Sequence, residues 1–355
     1  MRKLFPGYYR PSDSEFSALW NNSLFVLDAN VLLNLYAYSS ETKEELINIL
    51  KTISDRIWIP YQAAFEYQRR RLDVIQQQIT AYDNIKEALK NARNKLGEEI
   101  RSALRQGKHQ LIDLGNLLGK IEEFFPALEN ELDDLKNKHP DFFTDDQIRE
   151  NLTSILGNKV GTPYSEEKLK EIYEEGQKRY SQKIPPGYED ARKDDTSQYG
   201  DLILWYQIID KAKEKKNPII LVTDDTKEDW WWKFKGKAVG PRPELIHEIR
   251  AKCDVSFYMY RSGQFMEHAR EYLRQIVAQK AIQEVKDVTQ KIAQEGLDSY
   301  LNLSLVKSLI KREEKEALKK LIDSIAAADI ADLLEHLDSA GRLYIFKLLE
   351  PEIRT

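Results

Sequence analysis

The sequence predicts an α/β fold with a short parallel sheet, a long α-helical insertion and an α-helical C-terminal region. Four short apolar segments have the composition of strands, at residues 24–27, 56–59, 218–223 and 255–260. Helical patterns alternate with them, and this alternation is typical of a parallel sheet. Between Glu66 and the third strand the pattern is mainly helical, over more than a hundred residues. We therefore expect a discontinuous core, at residues 1–75 and 196–262, around an insertion at residues 76–195.

The insertion contains a leucine-rich seam that predicts helices packed against each other. Its members follow spacings of three and four and are Leu111, Leu114, Leu118, Ile121, Phe125, Leu128, Leu132 and Leu135. Pro126 lies inside the seam and should break or kink the helix, so we expect a helical hairpin more than one rigid rod. Residues 183–188 have the composition of a loop that returns to the core. We expect their acidic neighbours to be solvated, namely Glu189, Asp190, Asp194 and Asp195.

The region 263–355 is expected to be helical to its end. Within it, residues 328–338 and 348–352 resemble the helical N-terminal cytosolic domain of bacterial MgtE-type magnesium transporters. An ordinary amphipathic helix pair explains the same residues equally well. We expect this region and the helical insertion to provide a packing surface for self-association or for a protein partner, and we expect no transport.

The charge of the chain is unevenly distributed. The 355 residues include 54 Lys and Arg and 59 Asp and Glu, which gives a formal net charge of −5. Residues 76–195 hold 19 basic and 24 acidic side chains, and the rest of the chain balances at 35 of each. The acidity therefore belongs to the insertion, and the core remains compatible with a polyanionic substrate. A composition of 41% hydrophobic and 32% charged residues excludes disorder and collagen.

The single cysteine, Cys253, excludes an intrachain disulfide and a thiolate metal cage. No apolar run approaches the length of a membrane span. The expected location is therefore the cytosol, and no membrane partner is expected.

Acidic residues follow the predicted strands at the points where ligands bind in α/β sheets. Asp28 and the pair Asp224 and Asp225 come directly after apolar strands. Glu66 and Asp201 lie near helix starts and can reach the same edge. Each acid alone has a simpler explanation, as a helix cap for Asp28 and Asp201 or a surface charge for Glu66. Their joint placement favours a site.

Such a cluster needs neutralisation, because two like charges about 4 Å apart repel by roughly 4 kcal/mol at an effective dielectric of about 20. Protonation is one solution. Hard oxygen ligands without His or Cys nearby suit Mg²⁺ or Mn²⁺ as the cofactor. One or two such ions activate a water and stabilise the leaving oxygen of a phosphodiester. The acids therefore predict a metal-dependent phosphodiesterase.

The motifs around these acids resemble the PIN-domain nucleases, in particular the bacterial PIN-like branch with a long helical insertion. The matching segments, in family order, are FVLDANVLL at residues 25–33, the Glu66 helix, GDLILW at residues 200–205, and ILVTDD at residues 220–225 followed by KEDWW at residues 227–231. The resemblance covers about residues 1–75 and 196–262. It implies a three-layer fold, a short parallel sheet flanked by helices.

The resemblance also implies Mg²⁺- or Mn²⁺-dependent cleavage of RNA or DNA. The catalytic metal ligands would be Asp28, Glu66, Asp201 and Asp225. Asp224 and Asp229 are further candidate ligands, and Asn30 and Thr223 are candidate supports that hydrogen-bond a ligand. A toxin or anti-phage role is consistent with the family. The insertion is longer than a minimal PIN domain contains, so the substrate class stays open.

Basic and aromatic residues near the last acids suggest a local nucleic-acid track. Its candidate members are Arg69, Arg70, Arg71, Lys227, Trp231 and Lys233. Alternatively, Lys211 to Lys216 form a solvated helix end, and one or two of the neighbouring tryptophans Trp230, Trp231 and Trp232 pack in the core. Of the three, Trp231 or Trp232 is expected to be exposed, because neighbours along the chain cannot all face inward.

Two other functions compete with that of a nuclease. An aspartyl phosphatase needs a second acid two residues after the first, and this chain has Asn30 there. A catalytically inactive PIN scaffold with a regulatory or assembly role is the stronger alternative. The presence of all four acids argues against such degeneracy.

Overall fold

The computed structural model describes residues 1–348 except 3, 105–109, 192–195, 313, 324–329, 331–332, 335–336 and 338. In the described part, the strands are β1 (Leu24–Leu27), β2 (Ile57–Trp58), β3 (Ile219–Val222), β4 (Trp231–Phe234), β5 (Lys237–Pro241) and β6 (Phe257–Tyr260). β2, β1, β3 and β6 form one sheet in that order, and every pair in it is parallel. β4 and β5 form a separate antiparallel hairpin.

Helices make up most of the remaining structure. In the first half of the chain they are α1 (Asp13–Asn22), α2 (Ala29–Leu33), α3 (Ser40–Thr52), α4 (Tyr61–Ala103), α5 (Leu114–Lys138), α6 (Gln147–Leu156) and α7 (Glu166–Ser181). In the second half they are α8 (Gly200–Lys215), α9 (Pro243–Cys253), α10 (Ser262–Tyr272), α11 (Gln279–Lys311), α12 (Lys315–Asp323) and α13 (Ser339–Leu348). None of these described helices is long and apolar enough to cross a membrane.

Aromatic side chains fasten helices to both faces of the sheet. On one face, Trp20 of α1 packs against Phe25 of β1 and against Phe265 of α10. On the other face, Trp205 of α8 packs edge-on against Phe257 of β6. All five rings are buried, so their apolar surface stabilises the three layers. The predicted α/β fold with a short parallel sheet and a helical insertion is confirmed.

The start of the insertion is a long helical hairpin. α4 has 43 residues, which corresponds to a length of about 65 Å. Lys86 pairs with Asp133 at 2.8 Å and Lys136 pairs with Asp83 at 2.6 Å, so α4 and α5 run antiparallel. The predicted hairpin is therefore present, but the expected break at Pro126 is not found, since α5 continues through it. Proline removes one backbone N–H donor from the helix, and Phe125 beside it is buried.

The rest of the insertion packs on the α/β core. Ile148, Leu152 and Ile155 of α6 belong to the same buried cluster as the strands. Ile59, just after β2, forms a parallel bridge with Val160. The boundaries of the insertion at residues 76 and 195 stay a prediction. Helix α6, inside those boundaries, shares the apolar core of the sheet.

A buried ion pair joins α7 of the insertion to α9 of the core. The Arg179 guanidinium donates to both carboxylate oxygens of Glu248, at 2.8 and 2.9 Å. Trp205 and Lys252 each donate a further hydrogen bond of 2.8 Å to the same carboxylate. Four hydrogen bonds to one carboxylate, two of them from a planar guanidinium, fix the relative position of three helices.

The C-terminal region begins on the core and then forms its own apolar cluster. Ala281, Ile282 and Val285 of α11 are buried with the sheet residues. A second cluster includes Val306, Leu309, Leu318 and Ile322. Most of the segment that resembles the transporter domain, within 328–338 and 349–352, lies outside the described residues.

We predict that Glu248→Gln lowers the free energy of unfolding at pH 7 by roughly 3–5 kcal/mol, because the buried Arg179 guanidinium loses its counter-charge. Burial raises the pKa of Glu248, but the hydrogen bonds and charge of Arg179 and Lys252 outweigh it and lower the pKa from 4.5 to about 2. The carboxylate therefore stabilises the fold above pH 4.5, and this contribution disappears as the pH falls towards about 2. Urea unfolding of both proteins at several pH values measures the difference.

The matched control is Glu244→Gln, which removes a more exposed carboxylate from the same helix, paired with Arg242. We expect it to change the free energy of unfolding by less than about 1 kcal/mol. A difference between wild type and Glu248→Gln that stays constant from pH 7 to pH 2 would contradict the assigned role of the ion pair.

Candidate active site

Asp28 lies at the carboxyl end of β1 and caps α2. One of its carboxylate oxygens accepts the backbone N–H of Ala29 at 2.7 Å. The other accepts the amide of Asn30 at 2.8 Å and the hydroxyl of Thr223 at 2.6 Å. Asp28 is therefore the N-cap of α2, as the simpler explanation holds, but only one of its two carboxylate oxygens forms the cap. The second oxygen ties the end of β1 to the end of β3.

Thr223 and Asn30 hold the neighbouring acids in place. The Thr223 hydroxyl oxygen accepts the backbone N–H of Asp225 at 3.1 Å and the Asn30 amide at 3.2 Å. The Asn30 carbonyl oxygen accepts the backbone N–H of Asp224 at 3.0 Å. Since the Thr223 side chain is buried, these bonds are shielded from water. Thr223 and Asn30 thus hydrogen-bond the Asp28 carboxylate and the backbone that carries Asp224 and Asp225.

The ammonium of Lys227 lies among three carboxylates. Its Nζ is 2.9 Å from Asp190, 3.2 Å from Asp201 and 3.2 Å from Asp225. Burial would lower the pKa of Lys227, but the charges of Asp201, Asp225 and Asp190 outweigh it and raise the pKa, so the ammonium stays protonated. The site thus already binds one cation through oxygen atoms of three acids.

The surrounding carboxylates repel one another. Burial and the charges of Glu66, Asp201 and Asp225 raise the pKa of Asp28 to about 7, although the hydrogen bond from Thr223 lowers it. Burial also raises the pKa of Asp201. The positive charge of Lys227 lowers this pKa, and the negative charges of Asp225 and Asp190 raise it further. Loss of solvation is the largest cause of both shifts, and repulsion between neighbouring carboxylates adds to it.

Asp190 is a member of the site that sequence reasoning missed. Its side chain is 14% exposed and paired with Lys227, so the expectation that it is solvated is wrong. Asp194 and Asp195 lie outside the described residues. Asp229 holds the loop that carries Asp190, because its carboxylate oxygen Oδ2 accepts the backbone N–H groups of Gly187 at 2.9 Å and Glu189 at 3.1 Å. These bonds hold the return loop against the acids.

A local signal for this loop is present in the sequence. Gly187 has φ +95°, a left-handed conformation that favours glycine, and Pro185 and Pro186 precede it. Asp229 itself is fully buried, and burial together with the charge of Asp201 raises its pKa to about 7. The second oxygen of Asp229 has no hydrogen-bond partner among the described residues.

Two other predicted ligands have different positions. Glu66, on the second turn of α4, is partly exposed and pairs with Arg70 at 3.0 Å, yet its charge acts on Asp28. Asp224 turns away from this cluster, since its carboxylate accepts the backbone N–H and the hydroxyl of Ser262 at 2.9 and 2.7 Å. It therefore caps α10, and the structure does not bring it together with the other acids.

The residues predicted to contact nucleic acid divide into two groups. Arg69 and Lys233 are exposed, and Arg70 is exposed beside Glu66. Arg71, by contrast, is buried and forms an ion pair with Asp146. A role for Arg71 in binding nucleic acid does not fit, because its guanidinium is committed to an interior carboxylate.

Trp231 and Lys227 also point inward. The Trp231 ring is 3% exposed, and its indole N–H donates to the backbone carbonyl of Asp225 at 2.6 Å. Base stacking needs an exposed ring face, so Trp231 is not a stacking residue. Trp230 is buried as well, whereas Trp232 is partly exposed. The Lys227 ammonium forms ion pairs with Asp201 and Asp225, so it does not belong to a surface that binds nucleic acid.

The donor set fits a hard divalent cation in charge and in chemistry. The acids Asp28, Asp190, Asp201 and Asp225 offer carboxylate oxygens only, which suit Mg²⁺ and Mn²⁺. The ion pairs of Lys227 show that three of them already converge on a positive charge. In the part of the chain that the structure describes, no three acidic, histidine or cysteine side chains stand in metal-binding geometry.

A family model described as "PIN like domain" matches residues 24–245, which is most of the chain. The chain belongs to the PIN-like domain family. PIN-like domains are generally nucleases that bind nucleic acid and typically use divalent metals, so this chain falls in a nuclease superfamily. No curated protein and no solved structure matches the chain at a significant level. The matched range includes the whole insertion, so the helical hairpin lies within the PIN-like domain.

Proposed function

We propose that this PIN-like protein is a metal-dependent nuclease that hydrolyses phosphodiester bonds of RNA or DNA. The observation that carries the proposal is the convergence of the Asp190, Asp201 and Asp225 carboxylates on one ammonium, beside Asp28. Structural ion pairs rarely gather so many acids around one cation, because the excess negative charge destabilises the fold. Binding of a multivalent cation explains why the excess is kept.

Asp28, Asp201 and Asp225 are the residues that would hold Mg²⁺ or Mn²⁺, with Glu66 at the rim. A divalent ion held there would lower the pKa of a water and stabilise negative charge on the phosphate. The chain's own part is orientation. Thr223 and Asn30 fix the Asp28 carboxylate and the backbone after β3 before any substrate binds.

Lys227 acts as the resident counter-ion of the apo site in this proposal. Its ammonium competes with a divalent cation for the same oxygen atoms of Asp201 and Asp225. With an ion held there, Lys227 would keep its ion pair with Asp190. A toxin or anti-phage role, in the cytosol, is proposed on the family resemblance alone.

The purified wild-type protein should cleave RNA or DNA in the presence of Mg²⁺ or Mn²⁺ and not in EDTA. Asp28→Asn and Asp225→Asn should each reduce the rate roughly 100-fold or more, because each removes a charged ligand oxygen. The assay follows cleavage of a panel of single- and double-stranded RNA and DNA, with circular dichroism as the check of folding.

The matched control for this experiment is Asp73→Asn, an exposed acid on α4, which should keep wild-type activity. Full activity in both site variants would refute the site assignment. No cleavage of any substrate by wild type would favour the alternative, an inactive PIN scaffold with a regulatory or assembly role.

Lys227→Met should separate the counter-ion role from a purely structural one. Without divalent ions, we expect the variant to lose roughly 1–3 kcal/mol of unfolding free energy, because three carboxylates lose their cation. Added Mn²⁺ should raise the melting temperature of the variant more than that of wild type, since no ammonium competes for the ligands. Thermal unfolding over a Mn²⁺ titration measures both effects.

Lys233→Met, which removes an exposed lysine, serves as the control and should change neither quantity. An equal rise of the melting temperature in wild type and Lys227→Met would show that Lys227 does not occupy the cation site.

A further inference from the structure

The β4–β5 hairpin is an exposed basic arm beside the acidic site. Its turn consists of Lys235 and Gly236, both in the left-handed region with φ +50° and +75°, which is the conformation of a tight two-residue hairpin loop. Phe234, just before the turn, is 63% exposed, and Val239 after it is 54% exposed. An aromatic side chain this open to solvent on a rigid hairpin has no role in the core of the described structure.

The base of the hairpin is anchored to the site itself. Trp231, the first residue of β4, is buried and hydrogen-bonded to the backbone carbonyl of Asp225 at 2.6 Å. The Arg261 guanidinium covers the Trp231 ring at 5.6 Å. Phe234 follows three residues later, so it lies about 10 Å further along the strand. The arm therefore projects from the backbone that carries a proposed ligand.

The charge of the hairpin suits a polyanion. Residues 230–243 contain Lys233, Lys235, Lys237 and Arg242 and no acidic residue. Arg242 pairs with Glu244, whereas the three lysines are exposed. The ammonium of Lys235 lies 5.7 Å from the centre of the Phe234 ring. Positive charge and an open aromatic face thus occur together at the tip, whereas the neighbouring site is strongly acidic.

We propose that the β4–β5 hairpin binds an unpaired nucleic-acid strand, with a base stacked on Phe234 and phosphates held by Lys233, Lys235 and Lys237. This inference rests on the proposed nuclease function and names its substrate class, a single strand. A base can stack on an exposed ring only when its own face is free, which is the case in unpaired segments and not inside a duplex. The lysines neutralise phosphates without reading sequence, so the arm recognises single strands of any sequence.

A second exposed ring extends the surface. Tyr8 is 56% exposed and packs edge-on against Trp232, with their ring centres 5.4 Å apart. Trp232 is partly exposed, and Phe234 lies two residues beyond it on β4. Two rings allow more than one base of the same strand to stack, which a duplex end does not permit.

The test is fluorescence anisotropy in EDTA with labelled single-stranded RNA and DNA of about 12 nucleotides, and with the duplex of the same sequence. Wild type should bind the single strands more tightly than the duplex. Phe234→Ala should weaken single-strand binding roughly 5- to 150-fold, which is the loss expected for one stacked base. Phe234→Trp keeps a ring at this position and should retain the affinity.

Charge is tested separately through the salt dependence. Replacing Lys233, Lys235 and Lys237 by Gln should reduce the slope of log Kd against log salt by roughly 2, because three phosphate contacts are lost. The matched control replaces Lys168, Lys170 and Lys178 of α7 by Gln. It removes the same charge from exposed positions elsewhere and should leave the slope unchanged.

These outcomes separate the arm from the nuclease proposal, because binding in EDTA does not depend on cleavage. If Phe234→Ala binds single strands as wild type does, or if the duplex binds better, the inference on the hairpin is wrong even where wild type cleaves nucleic acid. The inference is also wrong if wild type binds no oligonucleotide, a result that would favour a protein partner for the hairpin. Binding through the hairpin without cleavage in Mg²⁺ or Mn²⁺ would overturn the nuclease function alone.

Discussion

The structure depends on the neutralisation of carboxylate charge at the carboxyl end of the parallel sheet. β1 and β3 are adjacent and parallel, so Asp28 and Asp225 necessarily meet at one edge. Loss of solvation and mutual repulsion make this arrangement costly, which the raised pKa of Asp28 reports. The ammonium of Lys227 and the hydroxyl of Thr223 lower that cost, and the proposed metal dependence follows from the charge they leave uncompensated.

The insertion is part of this electrostatic arrangement. Its return loop delivers Asp190 to Lys227, and the buried Asp229 carboxylate holds that loop through two backbone N–H groups. The ion pair of Arg179 with Glu248 secures α7 against α9 at the same end of the insertion. The net negative charge of residues 76–195 is therefore not only a solvated surface, because one of its acids lies in the site.

The residues that could be predicted are those whose positions follow from local patterns. Asp28, Thr223 and Asp225 directly succeed apolar strands, and strand adjacency alone brings them together. Asp190 could not be predicted, because a loop far from both strands along the chain carries it. Arg71 and Trp231 were misplaced, since the sequence does not show which face meets a distant partner. Asp146, which neutralises Arg71, is 75 residues away. The continuation of α5 through Pro126 could not be predicted either, because the packing of α5 against α4 involves residues far apart in the sequence.

The central claim is that the acids around Lys227 form a divalent-cation site. Anomalous diffraction from a crystal soaked in Mn²⁺ tests it most directly, because the scattering peak locates the ion without reference to activity. We expect a peak within ligand distance of carboxylate oxygens of Asp28, Asp201 and Asp225, with the Lys227 ammonium moved away from Asp201 and Asp225. A crystal that shows no peak there, with Lys227 still paired to the same three carboxylates in saturating Mn²⁺, would contradict the account.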